Sequence, residues 1–129
     1  MARFLSPLQS MCSQLIGKEY SYGENGDKVD CISLVFQALD AMGIENPGVQ
    51  DVWYTMSTRE IFGQISTYGY WVEKPVYDGD IVLLASDPLA FGVVWKAGIL
   101  YINRTIMRVD WKPVSYLSIR RCFRMKESL

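Results

Sequence analysis

The sequence predicts an α+β domain, with helices first and a mostly antiparallel sheet of about five or six strands packed against them. Three observations predict it. Apolar residues recur at helical spacing in three segments of the first half, six short β-branched or aromatic runs follow toward the C-terminus, and turn residues separate those runs closely enough for hairpins. With 129 residues, 50% of them hydrophobic and 21% charged, the chain is read as one domain spanning 1–129, long enough to bury a core.

The first helix is expected to start at Ser6-Pro7-Leu8-Gln9, where Ser6 can cap, Pro7 suits the first turn and Gln9 completes a capping box. Leu8, Met11 or Cys12, Leu15 and Ile16 then form its apolar stripe, and Gly17 ends it. Cys12 falls in that stripe and is read as a small core residue. "GKEYSYGENGDKV" follows as a surface loop or a short hairpin-like turn. It leads to Asp30, a good N-cap, after which Ile32, Val35, Phe36 and Leu39 keep helical period until Gly43. Cys31 thereby takes the first helical position.

Pro47-Gly48 opens a connector containing "DVWYTM", and Ser57-Thr58-Arg59-Glu60 gives a second capping box for a short helix carrying Ile61, Phe62 and Ile65. The strand runs are "YWVEKP", "DIVLLAS", "AFGVVWKA", "ILYINR", "TIMRVDW" and "YLSIRRCFRM". The four Trp and eight Tyr residues either fill the core or form a contact surface, with Trp53, Tyr54 and Trp95 the candidates for exposure.

Composition narrows the function classes. A net charge of −1 gives no long-range pull toward nucleic acid or an anionic membrane, so neither nucleic-acid binding nor membrane insertion is expected. The one basic cluster, "RRCFRMK", is read as a solvated strand end. Cys12, Cys31 and Cys122 are odd in number and widely spaced, which argues against a disulfide framework or a zinc site, and the absence of histidine weakens any metal site further. No cofactor is expected. "MARFLSPLQSMCSQLIGKEY" lacks a signal peptide's apolar core, so the chain is expected to be made in a host cytoplasm without a signal of its own.

A cysteine opening a helix ahead of a sheet is the papain-like order, and three blocks sharpen the likeness. "LIGKEYSYGENGDKVDCISLV" resembles the opening block of the NlpC-type cell-wall cysteine peptidases, with Gly17, Lys18, Tyr20, Gly23, Asp30, Cys31, Leu34 and Val35 in place. "VYDGDIVLLA" is similar to the family's Pro-Gly-Asp-Leu-Val segment through Gly79, Asp80 and Val82. Ala90-Phe91-Gly92-Val93-Val94, with Gly98 and "ILYIN" after it, stands where the family reads His-Val-Gly-Ile-Tyr. The resemblance covers roughly residues 8 to 125, and implies a papain-like fold with Cys31 as nucleophile. It places the general-base histidine on Ala90 and the third, orienting polar residue near Ile102 or Asn103. Asp30 and Gly92 are implied supports of the site, whereas Tyr20 and Tyr22 are read either as packing beside Cys31 or as core.

The site so implied keeps its nucleophile and lacks its base. The helix N-terminus favours a thiolate at Cys31 and the Asp30 carboxylate opposes it. If the two cancel, a pKa of about 8.5 leaves ~3% thiolate at neutral pH. Losing a histidine that also serves as general acid forfeits a further 10² to 10⁴ or so, about 4 to 7 kcal/mol of barrier in all. Asp80, Asp87, Glu73 and Lys96, in or near the strand region, are the alternative candidates for a base. The expected function is therefore a catalytically silent NlpC-like domain, a structural or adaptor component of a bacteriophage tail or baseplate, with other tail subunits as partners and the virion as location. Two rivals are an active hydrolase or amidase of peptidoglycan peptides with an unconventional or partner-supplied base, and a module that binds wall peptides without cutting them.

Overall fold

The computed structural model describes residues 2–20, 28–29, 31–46, 58–75, 77–85 and 90–125. Helix α1 spans Ala2–Leu15, so it begins ahead of the expected Ser6 cap. Ala2, Arg3 and Leu5 are strong helix formers and carry the helix across Pro7, which forfeits a single i to i−4 bond. Gly17 ends it at φ 86, a left-handed conformation that glycine adopts without a Cβ clash. Its N–H then donates to the Val109 carbonyl at 2.9 Å, tying the helix end to the sheet.

Two-residue strands follow, β1 (Glu19–Tyr20) and β2 (Lys28–Val29), and they pair in parallel. The hairpin-like alternative for this segment is thereby corrected, since a hairpin pairs its strands antiparallel. Helix α2 covers Cys31–Ala41 and stops where Gly43 takes φ 74, as its sequence predicts. Helix α3 covers Thr58–Ser66, in register with its capping box.

All six expected strands are present: β3 (Gly69–Val72), β4 (Ile81–Leu84), β5 (Ala90–Trp95), β6 (Gly98–Asn103), β7 (Arg108–Pro113) and β8 (Ile119–Met125). Sheet order is β2-β1-β7-β6-β5-β4-β8-β3. The six long strands pair antiparallel throughout, and β1 and β2 extend the β7 edge. Chain neighbours β4 to β7 form a meander, while β8 returns to lie between β4 and β3.

Strand alternation sends successive side chains to opposite faces. One face, carrying Ile81, Leu83, Phe91, Val93, Trp95, Leu100, Ile102 and Phe123, packs on α1 and α2 through Leu8, Cys12, Ile32, Val35, Phe36 and Leu39. The other face gathers Val82, Leu84, Val94, Ile99, Tyr101 and Cys122 into a smaller cluster beneath Val114, Leu117 and Ile119. Burial on both faces explains why β4, β5 and β6 read as nearly unbroken apolar runs. Trp95 lies in the first core, which corrects its candidacy for exposure; its strand pairs on both sides and its side chain belongs to the cluster that the helices cover. Trp53 and Tyr54 lie outside the described residues.

Candidate functional site

Cys31 is the first residue of α2, the position its sequence predicts. Its side chain, Asp30 and Tyr22 lie outside what is described, and Tyr20 enters only as the last residue of β1. Ser33, two residues on, is fully buried and accepts a hydrogen bond from Gln37 Nε2 at 2.9 Å. The helix is held by its apolar residues, which meet Phe91 and Val93 of β5 in the first core.

Ala90 opens β5 and is buried, across from Leu84. Continued two residues beyond its last pair, Gly92 with Tyr101, the β5–β6 register sets Ala90 level with Asn103. The two positions that the resemblance assigns to the base and to its orienting partner are therefore neighbours across the hairpin. Both line a cavity of 330 Å³, together with Leu84, Tyr101, Arg104 and Tyr116. Gly92 belongs to the same face, where a Cβ would come within 2.6 Å of Ile99 Cγ2 and 3.1 Å of the Leu100 carbonyl. Glycine here lets β5 and β6 pack closely.

Faces matter as much as register. Ala90 shares the parity of Gly92 and Val94, whose neighbours form the second cluster, whereas α2 packs on Phe91, Val93 and Trp95. At this end of β5 the residue on the α2 side is Phe91, and it is buried and apolar. Neither residue opening the strand carries a titratable group.

Asn103 is occupied at both ends of its amide. Its Nδ2 donates to Asp110 Oδ2 at 2.9 Å and its Oδ1 accepts from the Thr105 N–H at 3.0 Å, which fixes the β6–β7 turn. Asp110 also faces Tyr101, whose hydroxyl is raised in pKa by burial first and by this carboxylate second. Tyr101 and Tyr116 line the cavity and Asp110 bonds to Asn103 beside it, and sequence reasoning singled out none of the three. The period-two spacing of Tyr101 and Asn103 signals a shared face, but Asp110 becomes visible only once the hairpin register is set.

The other candidate bases stand elsewhere. Asp80 precedes β4, and its carbonyl accepts the Val94 N–H at 2.8 Å. That puts it four residues along β5 from Ala90, about 13 Å at ~3.3 Å per residue. Its carboxylate takes both arms of Arg124, Nε to Oδ1 and Nη2 to Oδ2, each at 3.0 Å, and the Tyr77 N–H at 3.1 Å. Arg124 is raised in pKa, chiefly by that hydrogen bonding. Lys96 lies past the far end of β5, its Nζ 4.7 Å above the Trp95 ring. Glu73 is exposed beyond β3, and Asp87 lies outside the described residues. Cys12 and Cys122 are buried thiols pushed up to about 12, mainly by desolvation, and so remain protonated and inert near neutral pH.

No family model and no curated protein matches this sequence. Solved structures do. The structure of NlpC2 from Trichomonas vaginalis superposes over 92% of this chain with a TM-score of 0.66 at 13% identity, and that of NlpC1 from the same organism over 92% with 0.67 at 15%. The fold is NlpC-like. This NlpC-like chain spans 44% and 42% of the length of those two solved chains. At such low identity the likeness is one of architecture: an α+β, papain-like arrangement in which a helix begins at Cys31 and packs on an antiparallel sheet.

Proposed function

We propose that this NlpC-like domain is catalytically silent and works as a structural or adaptor component, in the setting of a bacteriophage tail or baseplate. The observation that carries the reading is the missing histidine. The sequence has no histidine, and both residues at the start of β5, Ala90 and Phe91, are buried and apolar. Asp80 and Asn103, the polar groups nearest in role, are engaged in bonds that stabilise the fold. A thiol without a positioned base attacks a peptide carbonyl slowly and has no acid for the leaving amine. The scaffold then serves through contacts.

The test is the pH dependence of Cys31 alkylation by iodoacetamide, in the free protein and in any assembly it enters, with Cys12 and Cys122 as slow internal references. An apparent pKa of ~8 or above in both states is expected. A value below ~6, with muropeptide cleavage that Cys31→Ala abolishes, overturns the reading in favour of an active hydrolase or amidase. A protein that stays monomeric and binds no tail or baseplate subunit of its source overturns the adaptor role.

The 330 Å³ cavity beside Ala90 and Asn103 favours a second reading, a module that holds a peptidoglycan peptide without cutting it. Saturable muropeptide binding that Ala90→Trp blocks is its expected signature.

A further inference from the structure

β3 is the outermost strand at its end of the sheet, and among the described residues none pairs with its outer side. Two consecutive aromatic residues stand on this edge, Tyr70 at 50% exposure and Trp71 at 55%. Alternation sends them to opposite faces. Trp71 lies across from Phe123 and meets its ring edge-on at 6.1 Å, whereas Tyr70 lies across from Arg124. A strand edge left open among the described residues, with large side chains on both faces, is a template for another strand.

The charges around the edge select what that strand must be. Arg121 sits 5.9 Å from the Trp71 ring. Arg120 and Arg121 are exposed and make no ion pair among the described residues. They line a shallow concavity of 200 Å³ with Val72, Glu73, Ile119 and Cys122, and exposed Lys74 follows at the end of β3. Arg124 is already neutralised by Asp80. Among the described residues the edge therefore keeps three cations without an ion pair, against Glu73, on a chain whose net charge is −1. Parallel self-pairing of two β3 edges would set these cations, all at the Val72 end, against their own copies, which disfavours it, and antiparallel self-pairing would leave them uncovered. A carboxylate-rich strand meets the opposite situation. A strand added beside β3 would lie two interstrand spacings, about 9.6 Å, from β8, within the combined reach of an Arg and a Glu side chain.

We propose that the β3 edge receives an extended, acidic segment of a partner protein as an added strand, its backbone on Gly69–Val72 and its carboxylates on Arg120 and Arg121. This deepens the adaptor reading and rests on it for the existence of a partner. The probe is a capped peptide of alternating Glu and Val, titrated against the intact protein, with hydrogen exchange reporting the Gly69–Val72 amides. Saturable binding, protection of those amides, weakening with salt, and a loss of about tenfold or more in Arg120→Glu/Arg121→Glu are expected. The same peptide N-methylated on alternate residues, which leaves the protein untouched, must lose binding. Equal binding of a Lys-Val peptide, undiminished binding of the N-methylated one, or protection confined to another strand overturns the proposal. So does a dimer in sedimentation that Trp71→Lys dissolves, since that makes a second copy the occupant. Absence of binding while Cys31 stays unreactive removes the acidic partner alone, whereas a reactive Cys31 with binding intact removes catalytic silence and keeps the edge site.

Discussion

Replacing Asp80 by alanine tests whether this carboxylate is structural or a stand-in base. Its side chain is 2% exposed and its hydrogen bonds include two from Arg124 and one from the Tyr77 N–H. Breaking a buried ion pair by removing one partner typically costs about 3 to 5 kcal/mol, because the other charge is left without compensation. Arg124 is 24% exposed and lies 4.4 Å from the Tyr77 ring, so water relieves part of that cost and the lower end, about 3 kcal/mol, applies. The stranded Tyr77 N–H adds about 1 kcal/mol. Asp80→Ala is thus expected to lower stability by about 3 to 4 kcal/mol, a large share of an ordinary domain's 5 to 15 or so. Asp80→Asn keeps one acceptor oxygen, enough for Arg124 Nη2 and the Tyr77 N–H, but turns an NH2 toward Arg124 Nε and removes the charge, so it is expected to lose nearly as much, about 2 to 3 kcal/mol. Urea unfolding followed by tryptophan fluorescence, with an unchanged m-value, measures both. Adding Arg124→Met to Asp80→Ala removes the stranded cation and should recover part of the loss. A loss below about 1 kcal/mol for Asp80→Ala, or simple additivity in the double variant, refutes the assignment of Asp80 to the fold.

Other consequences follow from the same structure. Burial holds the Cys12 and Cys122 thiols at about 12 against an ordinary 9.0, with Asp78 adding at Cys12, and Asp80 adding while Arg124 opposes at Cys122. Their folded values are raised, so the stability they contribute is complete below about 9 and is lost as pH rises toward 12, by up to about 1.4 kcal/mol per pH unit for each thiol. Urea midpoints measured from neutral to alkaline pH should fall less steeply in Cys122→Val than in the unmodified protein. At the β5–β6 turn Lys96 and Ala97 adopt φ of 50 and 59, a conformation that Asn-Gly takes at lower cost. Lys96→Asn/Ala97→Gly is expected to raise the unfolding free energy by about 1 to 2 kcal/mol, and no gain in thermal denaturation would count against a strained turn. Ala90→His places an imidazole toward the cavity face, away from the α2 core. The alkylation pKa of Cys31 should then stay at ~8 or above, and a drop below ~6 would show that this position does face the thiol.

Much of the fold is legible in the residues because its signals are local. α2 runs from Cys31 to its Gly43 stop, and each of the six β-branched runs becomes a strand, because period and turn chemistry act over a few residues. The start of α1 was less legible, since Ser6-Pro7 is a good cap that neighbouring helix formers override. Trp95 was ambiguous because exposure depends on what covers a strand, which no property of the strand reports.

The candidate site divides in the same way. The lack of histidine is a property of composition and holds in any fold. That Ala90 and Asn103 are neighbours depends on a hairpin register, and that Ala90 turns from α2 while Phe91 turns toward it depends on which face the helices cover. Asp80 finds Arg124 across 44 residues only because β8 comes back between β4 and β3. The sequence alone determined the α+β class, the helix that begins at Cys31 and the absence of histidine. Tertiary structure alone decided the strand order, the face each residue takes and the place of β3 at the sheet's edge, because long-range pairing answers to burial on both sides of the sheet, which no local stretch of chain encodes.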